Sequence, residues 1–218
     1  MGLDMYLYRM PRYKNTTASE VNTIENYLSW MEMKKKRSEY ANCTLQEWYG
    51  IDESELPSED VIRFYSQFCD TSEYGYIYIM DEVGYWRKAN QIHSWFVSHV
   101  QDGEDDCEYH NECTREILEE LLDTCKTVLE SCVMTVGKIQ NGERLVNGKW
   151  EPIYEDGKVV IDTSVAEELL PSCSGFFFGG TGYDEWYVRD IAGTIKILEE
   201  VLATTDFETQ MVVYRSSW

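Results

Sequence analysis

The chain has 218 residues, of which 40 are acidic and 19 are basic, and its formal net charge is −21. This charge argues against general binding to nucleic acid and against docking on an anionic membrane, because both present negative phosphate groups. The 43% of hydrophobic residues can build the core of one domain, and no apolar run approaches the ~20 residues that span a bilayer.

The N-terminal part of the chain predicts one strand and two helices. Residues 3–8 alternate in character as a strand does. Thr17 and Glu20 form the capping-box pattern, which predicts the start of an amphipathic helix over 18–39. A short turn of helix is expected around 45–49.

The middle of the chain alternates helix and strand signals. A short helix is expected after Ser58, and residues 74–80 have the aromatic and β-branched character of a strand. Residues 85–100 repeat apolar side chains at helical spacing, so we expect a second amphipathic helix there. Thr114 is the predicted cap of a third long helix, whose broad apolar face extends to Cys132.

Residues 134–161 predict a small β-meander inserted in the domain. The segment contains three dipeptides that favour tight hairpin turns, because their residues tolerate positive φ. These dipeptides are Asn141-Gly142, Asn147-Gly148 and Asp156-Gly157. We expect the meander to project from the body of the protein.

The remaining segments complete a single α+β domain over residues 1–218. We expect a helical turn at 165–170, a short buried strand at 174–179, a helix at 184–203 and a strand at 210–215. Because strands lie near both ends of the chain, we expect them to enter one sheet. The predicted fold is a mixed or antiparallel sheet packed by about four helices.

Most of the negative charge lies between residues 41 and 136, which carry a net charge of −16. Such a surface repels nucleic acid and attracts a basic protein surface. A solvated helix face and a polar loop explain the same residues without any partner. The candidate partner-binding residues are Asp102, Glu104, Asp105, Asp106, Glu108 and Glu112, and the acidic run continues with Glu116, Glu119, Glu120 and Asp123.

The seven cysteines are odd in number, and the N-terminus carries no recognisable signal peptide, so we expect reduced thiols and a cytoplasmic protein. The spacing of Cys107, His110 and Cys113 supplies three possible zinc ligands. Structural zinc sites usually use paired C-x(2–4)-C elements, which this stretch lacks. A chance run in an acidic loop explains the three residues better, and we predict neither a metal nor a cofactor.

The block 82–93 contains the first candidate site for a small ligand. A helix over 85–100 places Trp86, Asn90 and His93 on one face, where His93 is a candidate general base. The alternative is that His93 is a hydrogen-bonded core residue and Trp86 a packing anchor.

Arg87 and Lys88 belong to the same block. They are two of only five basic residues between positions 41 and 136. Their isolation in an acidic segment makes them candidate anchors for a phosphate or carboxylate group.

The block 175–185 contains a glycine-rich loop followed by a predicted helix. That order can place backbone N–H groups around an anion at the helix N-terminus. A tight structural turn is the alternative, because the glycines match neither the P-loop nor the G-x-G-x-x-G pattern, and Asp184 is also well placed as a helix cap. The candidate ligand-binding residues of this block are Gly180, Thr181, Tyr183 and Asp184.

Four stretches of the chain together resemble a family of small proteins encoded by bacteriophages and prophages, largely of Gram-positive bacteria. They are the opening MGLDMYL, the block EVGYWRKANQIHSWF at 82–96, the stretch SGFFFGGTGYDE at 174–185 and the final SSW at 216–218. The resemblance implies no particular activity. It does imply a setting, the bacterial cytoplasm during infection.

This setting and the acidic segment together predict a protein that inhibits a bacterial defence system, of the anti-CRISPR or anti-restriction type. We expect it to bind a basic, nucleic-acid-binding surface on a host defence nuclease or effector and to act without enzymatic activity. The alternative is a small enzyme or nucleotide-binding protein that degrades or sequesters a defence signalling nucleotide through the blocks 82–93 and 175–185. The sequence leaves the oligomeric state open.

Overall fold

A three-stranded antiparallel sheet with the order β4-β1-β7 forms the centre of the computed structural model, which describes residues 2–37, 41–73, 75–105, 107, 112–175 and 178–218. The strands are β1 (Asp4–Pro11), β2 (Asp70–Thr71), β3 (Ile77–Tyr78), β4 (Asp81–Arg87), β5 (Met134–Val146), β6 (Lys149–Val160) and β7 (Gln210–Ser217). The helices are α1 (Ala18–Lys36), α2 (Leu45–Tyr49), α3 (Glu59–Tyr65), α4 (Asn90–His99), α5 (Arg115–Ser131), α6 (Ser164–Leu169) and α7 (Glu185–Thr204). The predicted α+β class is therefore confirmed, and every strand pair described in the structure is antiparallel.

The central sheet separates two apolar cores. Successive side chains of a strand point to opposite faces, so Leu7 faces one core and Met10 the other. Helices α4, α5, α6 and α7 supply the first core, whereas α1 and α3 supply the second. As expected, β1 and β7 are neighbours in one sheet, with Leu7 opposite Tyr214.

Most of the predicted helices are confirmed. Thr17 and Glu20 form the expected capping box of α1, and the Thr114 side chain accepts a hydrogen bond from Ile117 N at the start of α5. Asp184 caps α7 by accepting bonds from the first-turn N–H groups. Within the described residues, no helix has both the length and the apolar character needed to cross a membrane.

The prediction of a helix over 85–100 is wrong in its first part. Residues 85–87 belong to β4, where Trp86 lies opposite Met5, and the helix begins only at Asn90. The apolar side chains of this segment fit helical spacing, yet pairing with β1 holds its backbone as an edge strand of the sheet. Trp86 therefore does not share a helix face with Asn90 and His93.

Two predicted strands are also corrected. The expected strand at 74–80 is reduced to the two residues of β3, with Tyr74 outside the described residues. At 174–179, the described residues Ser174, Gly175, Phe178 and Gly179 are not in a strand, whereas Phe176 and Phe177 lie outside the described part.

The expected β-meander is a single two-stranded hairpin of β5 and β6. Only Asn147-Gly148 turns the chain, and both residues have the positive φ that such a turn requires. Asn141-Gly142 forms an irregularity within the ladder, and Asp156-Gly157 pairs with Lys138 and Gly137. The base of the hairpin is held to the loop before α7 by a bond from Val160 N to Tyr183 O, 2.9 Å long.

Candidate functional site

The connection between β4 and α4 is the starting point of the site. Lys88 adopts a left-handed backbone conformation with φ of 63°. This conformation costs a non-glycine residue about 1–2 kcal/mol and recurs at binding sites, where the surrounding structure holds it in place. Lys88 N donates to Leu3 O at 2.8 Å, so the central sheet fixes the strained connection.

Asn90 joins this connection to the glycine-rich loop. Its buried side chain donates to Gly180 O at 2.9 Å and to Phe178 O at 3.3 Å, and it accepts a bond from Cys173 N at 2.8 Å. Both the amide nitrogen and the amide oxygen thus bind the backbone of this loop and of the segment before it. Asn90 therefore positions the site.

Gly179 lies directly against Lys88. Its φ is 95°, and a Cβ atom at this position would lie 3.1 Å from Lys88 Cβ and 3.4 Å from Lys88 O. Only glycine adopts this backbone conformation without strain and allows so close an approach. The two predicted blocks, 82–93 and 175–185, thus meet at Lys88 and Gly179.

A cavity of about 440 Å³ opens where the two blocks meet. Its walls come from the β4–α4 connection, the loop before α7, the first turns of α7 and the irregular part of β5, which contributes Gln140 and Asn141. Ligand sites typically have volumes of about 300–1,000 Å³, so the cavity is large enough for a small organic ligand. Of the predicted ligand residues, the cavity brings together Arg87, Lys88, Asn90, Gly180 and Asp184.

Two positive charges at the cavity have no salt-bridge partner among the residues that the structure describes. Arg87 and Lys88 are exposed and form no salt bridge with any residue that the structure describes. They precede α4, which lacks a side-chain cap at its N-terminus. The helix dipole adds partial positive charge there, so this wall favours an anion.

Gln91, in the first turn of α4, adds a side-chain amide whose N–H groups have no hydrogen-bond acceptor among the described residues. The residue is only 3% exposed, and within the described part of the chain its Nε2 atom has no hydrogen-bond partner. A buried donor without an acceptor is costly, and ligands are one means of satisfying it. Gln91 also lines the cavity, so a molecule bound there lies beside its side chain.

Asp190 provides the acidic side of the cavity. Burial raises its pKa to about 6, while Arg189 and the Gln91 amide act in the opposite direction and Asp184 adds to the rise. The amide is close enough to lower the Asp190 pKa, although its Nε2 atom falls short of hydrogen-bonding geometry. Asp190 and Gln91 are therefore direct neighbours in the cavity wall.

Trp186 and Arg189 form a flat surface at the cavity. The Arg189 guanidinium lies 4.2 Å from the centre of the Trp186 ring, one turn earlier on α7, and Trp186 is 42% exposed. Asp184 accepts bonds from Trp186 N at 2.9 Å and Tyr187 N at 3.3 Å. Its carboxylate therefore serves as the helix cap.

His93 does not line the cavity. It is 1% exposed, and its Nδ1 atom lies 2.8 Å from the Tyr214 hydroxyl. Its Nε2 atom lies 3.1 Å from Asp105 Oδ1 in an alignment that is poor for a hydrogen bond. Burial lowers the His93 pKa, against an opposing effect of Asp105. These contacts are those of a core histidine.

The other predicted ligand residues lie around the cavity without lining it. Trp86 is buried, and its indole N–H donates to Thr194 Oγ1 at 2.8 Å. Tyr183 accepts a bond from Ser172 N at 3.2 Å and packs on Tyr187. Thr181 is an exposed loop residue.

The candidate partner-binding acids are only partly available. Asp105 accepts a hydrogen bond from Trp218 Nε1 at 3.0 Å beside His93, and Glu112 pairs with Arg12. Asp102 and Glu104 are exposed, whereas Asp106 and Glu108 lie outside the described residues. A more continuous acidic surface, formed by Glu116, Glu119, Glu120 and Asp123, lies on the exposed side of α5.

The predicted zinc ligands Cys107 and Cys113 give no support to a metal site. Cys113 is fully buried, which raises the pKa of its thiol and disfavours the thiolate that binds metal. Cys107 is partly buried, and His110 lies outside the described residues. Within the described ranges, no three His, Cys, Asp or Glu side chains are grouped so as to hold a metal ion.

Sequence reasoning missed Gln91, Arg189 and Asp190. A partial signal exists for the last two, because Trp186, Arg189 and Asp190 are spaced three and four apart on one helix. The proximity of Gln91 to Asp190 depends on the packing of α4 beside α7, which no local pattern encodes. Comparison with protein-family models, with curated proteins and with solved structures found no match to this chain.

Proposed function

We propose that this protein binds a nucleotide, or a chemically similar phosphorylated compound, in the cavity between α4 and α7. The observation that carries the proposal is the pair Arg87 and Lys88, which have no salt-bridge partner among the described residues and precede the N-terminus of α4, where no side chain caps the helix. In a chain of net charge −21, two unpaired cations at one cavity wall favour an anionic ligand.

The chemistry of the wall fits a phosphate group. Arg87 offers a planar set of donors, Lys88 offers a compact charge, and the α4 N-terminus offers backbone dipoles. Hydrogen bonds to charged groups contribute about 1.5–3 kcal/mol each, which corresponds to about a tenfold to hundredfold change in affinity.

The rest of the cavity fits an organic group attached to the phosphate. Trp186 and Arg189 provide a stacking surface for a planar ring, and stacking on an aromatic side chain contributes about 1–3 kcal/mol per base. The other polar side chains of the cavity hold the ligand in one orientation. These features support a mononucleotide rather than free phosphate as the ligand.

Calorimetric titration with nucleoside monophosphates, the parent nucleosides and ribose 5-phosphate tests the proposal. We expect a monophosphate to bind at least tenfold more tightly than its nucleoside, and Arg87→Ala with Lys88→Ala to remove that difference. Lys149→Ala, at an exposed position of the hairpin, is the matched control and should bind as the parent does. The proposal fails if no phosphorylated compound binds, or if the double variant keeps the parent's affinity.

A second candidate function is supported by the exposed face of α5. Glu116, Glu119, Glu120 and Asp123 are exposed there, and of these Glu119 lies 3.6 Å from Arg115. Such a face is complementary to the basic groove of a nuclease. It supports the proposal that the protein, in the cytoplasm of a phage-infected bacterium, inhibits a defence nuclease by occupying that groove.

The test is restoration of phage plaques in cells that carry a defined restriction or CRISPR system. We expect expression of the protein to restore plaques, and Glu116→Lys with Glu120→Lys and Asp123→Lys to abolish the effect. Glu151→Lys with Glu155→Lys, which reverses two charges on the hairpin instead of on α5, is the control and should leave the effect intact. Restoration that survives reversal of the α5 charges would exclude this surface.

A further inference from the structure

Asp190 and Gln91 present two polar side chains side by side in the wall of the cavity. The Asp190 carboxylate offers two acceptor oxygens, and Gln91 Nε2 offers N–H donors that no described residue accepts. Gln91 is 3% exposed and lines the cavity, so an acceptor on a molecule bound there is placed beside its side chain. A complementary molecule carries two adjacent donors followed by one acceptor.

We infer that the cavity selects the guanine base of a nucleotide, with the Asp190 carboxylate and the Gln91 amide reading its Watson–Crick edge. This inference rests on the proposed nucleotide-binding function and adds the identity of the base. Guanine presents N1–H and the N2 amino group next to O6. The two N–H groups donate to the two carboxylate oxygens, and O6 accepts from Gln91 Nε2.

The same pair of residues discriminates against the other purine. Adenine offers its N6 amino group to the carboxylate and N1 to the amide, so it makes two of the three bonds. The missing bond is one to a charged acceptor, whose loss lowers affinity about tenfold to hundredfold. Hypoxanthine keeps N1–H and O6 but lacks the amino group, so we expect it to lie between guanine and adenine.

The position of Trp186 is consistent with this orientation. Trp186 and Asp190 are four residues apart on α7 and therefore lie on the same face of the helix. A base stacked on the Trp186 and Arg189 surface has its edge directed along that face. The opposite end of the nucleotide then extends toward the Arg87 and Lys88 wall.

Titration calorimetry with GMP, IMP, AMP and XMP at pH 7.5 tests the inference. We expect GMP to bind at least tenfold more tightly than AMP. Asp190→Asn should reverse the order of GMP and XMP, because an amide can donate to the C2 carbonyl of xanthine where a carboxylate cannot. Asp123→Asn, at an exposed position of α5 that does not line the cavity, is the matched control, and it should retain the preference for GMP.

The possible failures are distinguishable. Equal affinities for GMP and AMP in the parent, or an unchanged preference in Asp190→Asn, would overturn base selection while leaving phosphate binding intact. Absence of binding by every nucleotide would overturn the proposed function as well. If Asp190→Asn folds poorly, Gln91→Leu provides the second variant, and it should lower GMP affinity about tenfold without improving that of AMP.

Discussion

At the scale of single residues, Asp190 shows how a buried carboxyl group costs stability. In the unfolded chain this carboxyl has the ordinary aspartate pKa of 3.8, whereas burial in the folded protein raises the pKa to about 6. The folded state therefore holds the proton more tightly than the unfolded state. The stabilisation from protonation is complete below pH 4 and is lost as the pH rises through about 6.

We predict that Asp190→Asn raises the melting temperature at pH 7.5 by a few degrees and changes it little at pH 4. The neutral amide removes the cost of a buried charge, and about 1 kcal/mol corresponds to about 2–4 °C in a domain of this size. Calorimetric melting of both proteins at the two pH values measures the effect. Asp123→Asn, exposed on α5, serves as control, and a lower melting temperature for Asp190→Asn at pH 7.5 would contradict the assignment.

Gly179 provides a second prediction at this scale, with a matched control beside it. Gly179→Ala should lower the melting temperature by several degrees, because alanine pays about 1–2 kcal/mol for the left-handed conformation and approaches Lys88. Gly180→Ala should be neutral, since a Cβ atom there meets nothing within 4 Å. Equal melting temperatures for the two variants would show that the loop is not constrained by Lys88.

At the scale of elements, the hairpin of β5 and β6 depends on two glycines that face larger side chains across the ladder. A Cβ atom at Gly157 would lie 2.7 Å from Ile139 Cδ1, and one at Gly137 would lie 2.6 Å from Val159 Cγ2. Ile139, within this hairpin, is 2% exposed. The glycines allow these side chains to cover the backbone.

We predict that Gly157→Ala destabilises the protein in the parent background and has a smaller effect when Ile139→Ala is also present. The second substitution removes the side chain with which the new methyl group clashes, so the two changes are not additive. Urea denaturation of the parent, both single variants and the double variant measures the coupling. Additive free energies of unfolding would show that the contact is absent.

The elements also show what the sequence can and cannot predict. The caps at Thr17, Thr114 and Asp184 are local patterns, and helices α1, α5 and α7 follow from them. The change from strand to helix at Lys88 is not local, because β4 is held by its pairing with β1. The fold class could thus be predicted, whereas the place of Trp86 could not.

The candidate site, like the fold, could be predicted from the sequence only in part. Arg87 and Lys88 are conspicuous as cations in an acidic segment, and the glycine-rich loop is conspicuous by composition. That the two blocks meet depends on Asn90, whose three hydrogen bonds to the loop and its preceding segment form only in the folded chain. Asp190 looks like an ordinary surface residue of an amphipathic helix until its burial is known.

At the scale of the whole molecule, the net charge of −21 opposes the compact state. We predict that raising NaCl from 10 to 300 mM increases the melting temperature, because salt screens repulsion beyond about one Debye length. The variant with Glu116→Lys, Glu120→Lys and Asp123→Lys should depend less on salt. A melting temperature that falls with salt in the parent would mean that attractive ion pairs outweigh the repulsion.

The central sheet makes the two cores one structural unit. Val212 and Tyr214 belong to one core, and Met211 and Val213 to the other, so β7 contributes to both in alternation. Loss of β7 would therefore expose both cores at once. We infer that the two halves of the protein unfold together.

The pairing of β1 with β7 has a consequence for synthesis of the protein. Leu7 meets Tyr214 only after nearly the whole sequence has left the ribosome, which at the usual speed of translation takes roughly 10 s or more. During that interval one edge of β1 has no partner strand, and the apolar side chains on both its faces are incompletely covered. We expect the yield of folded protein to depend on how well this nascent strand is protected until β7 is made.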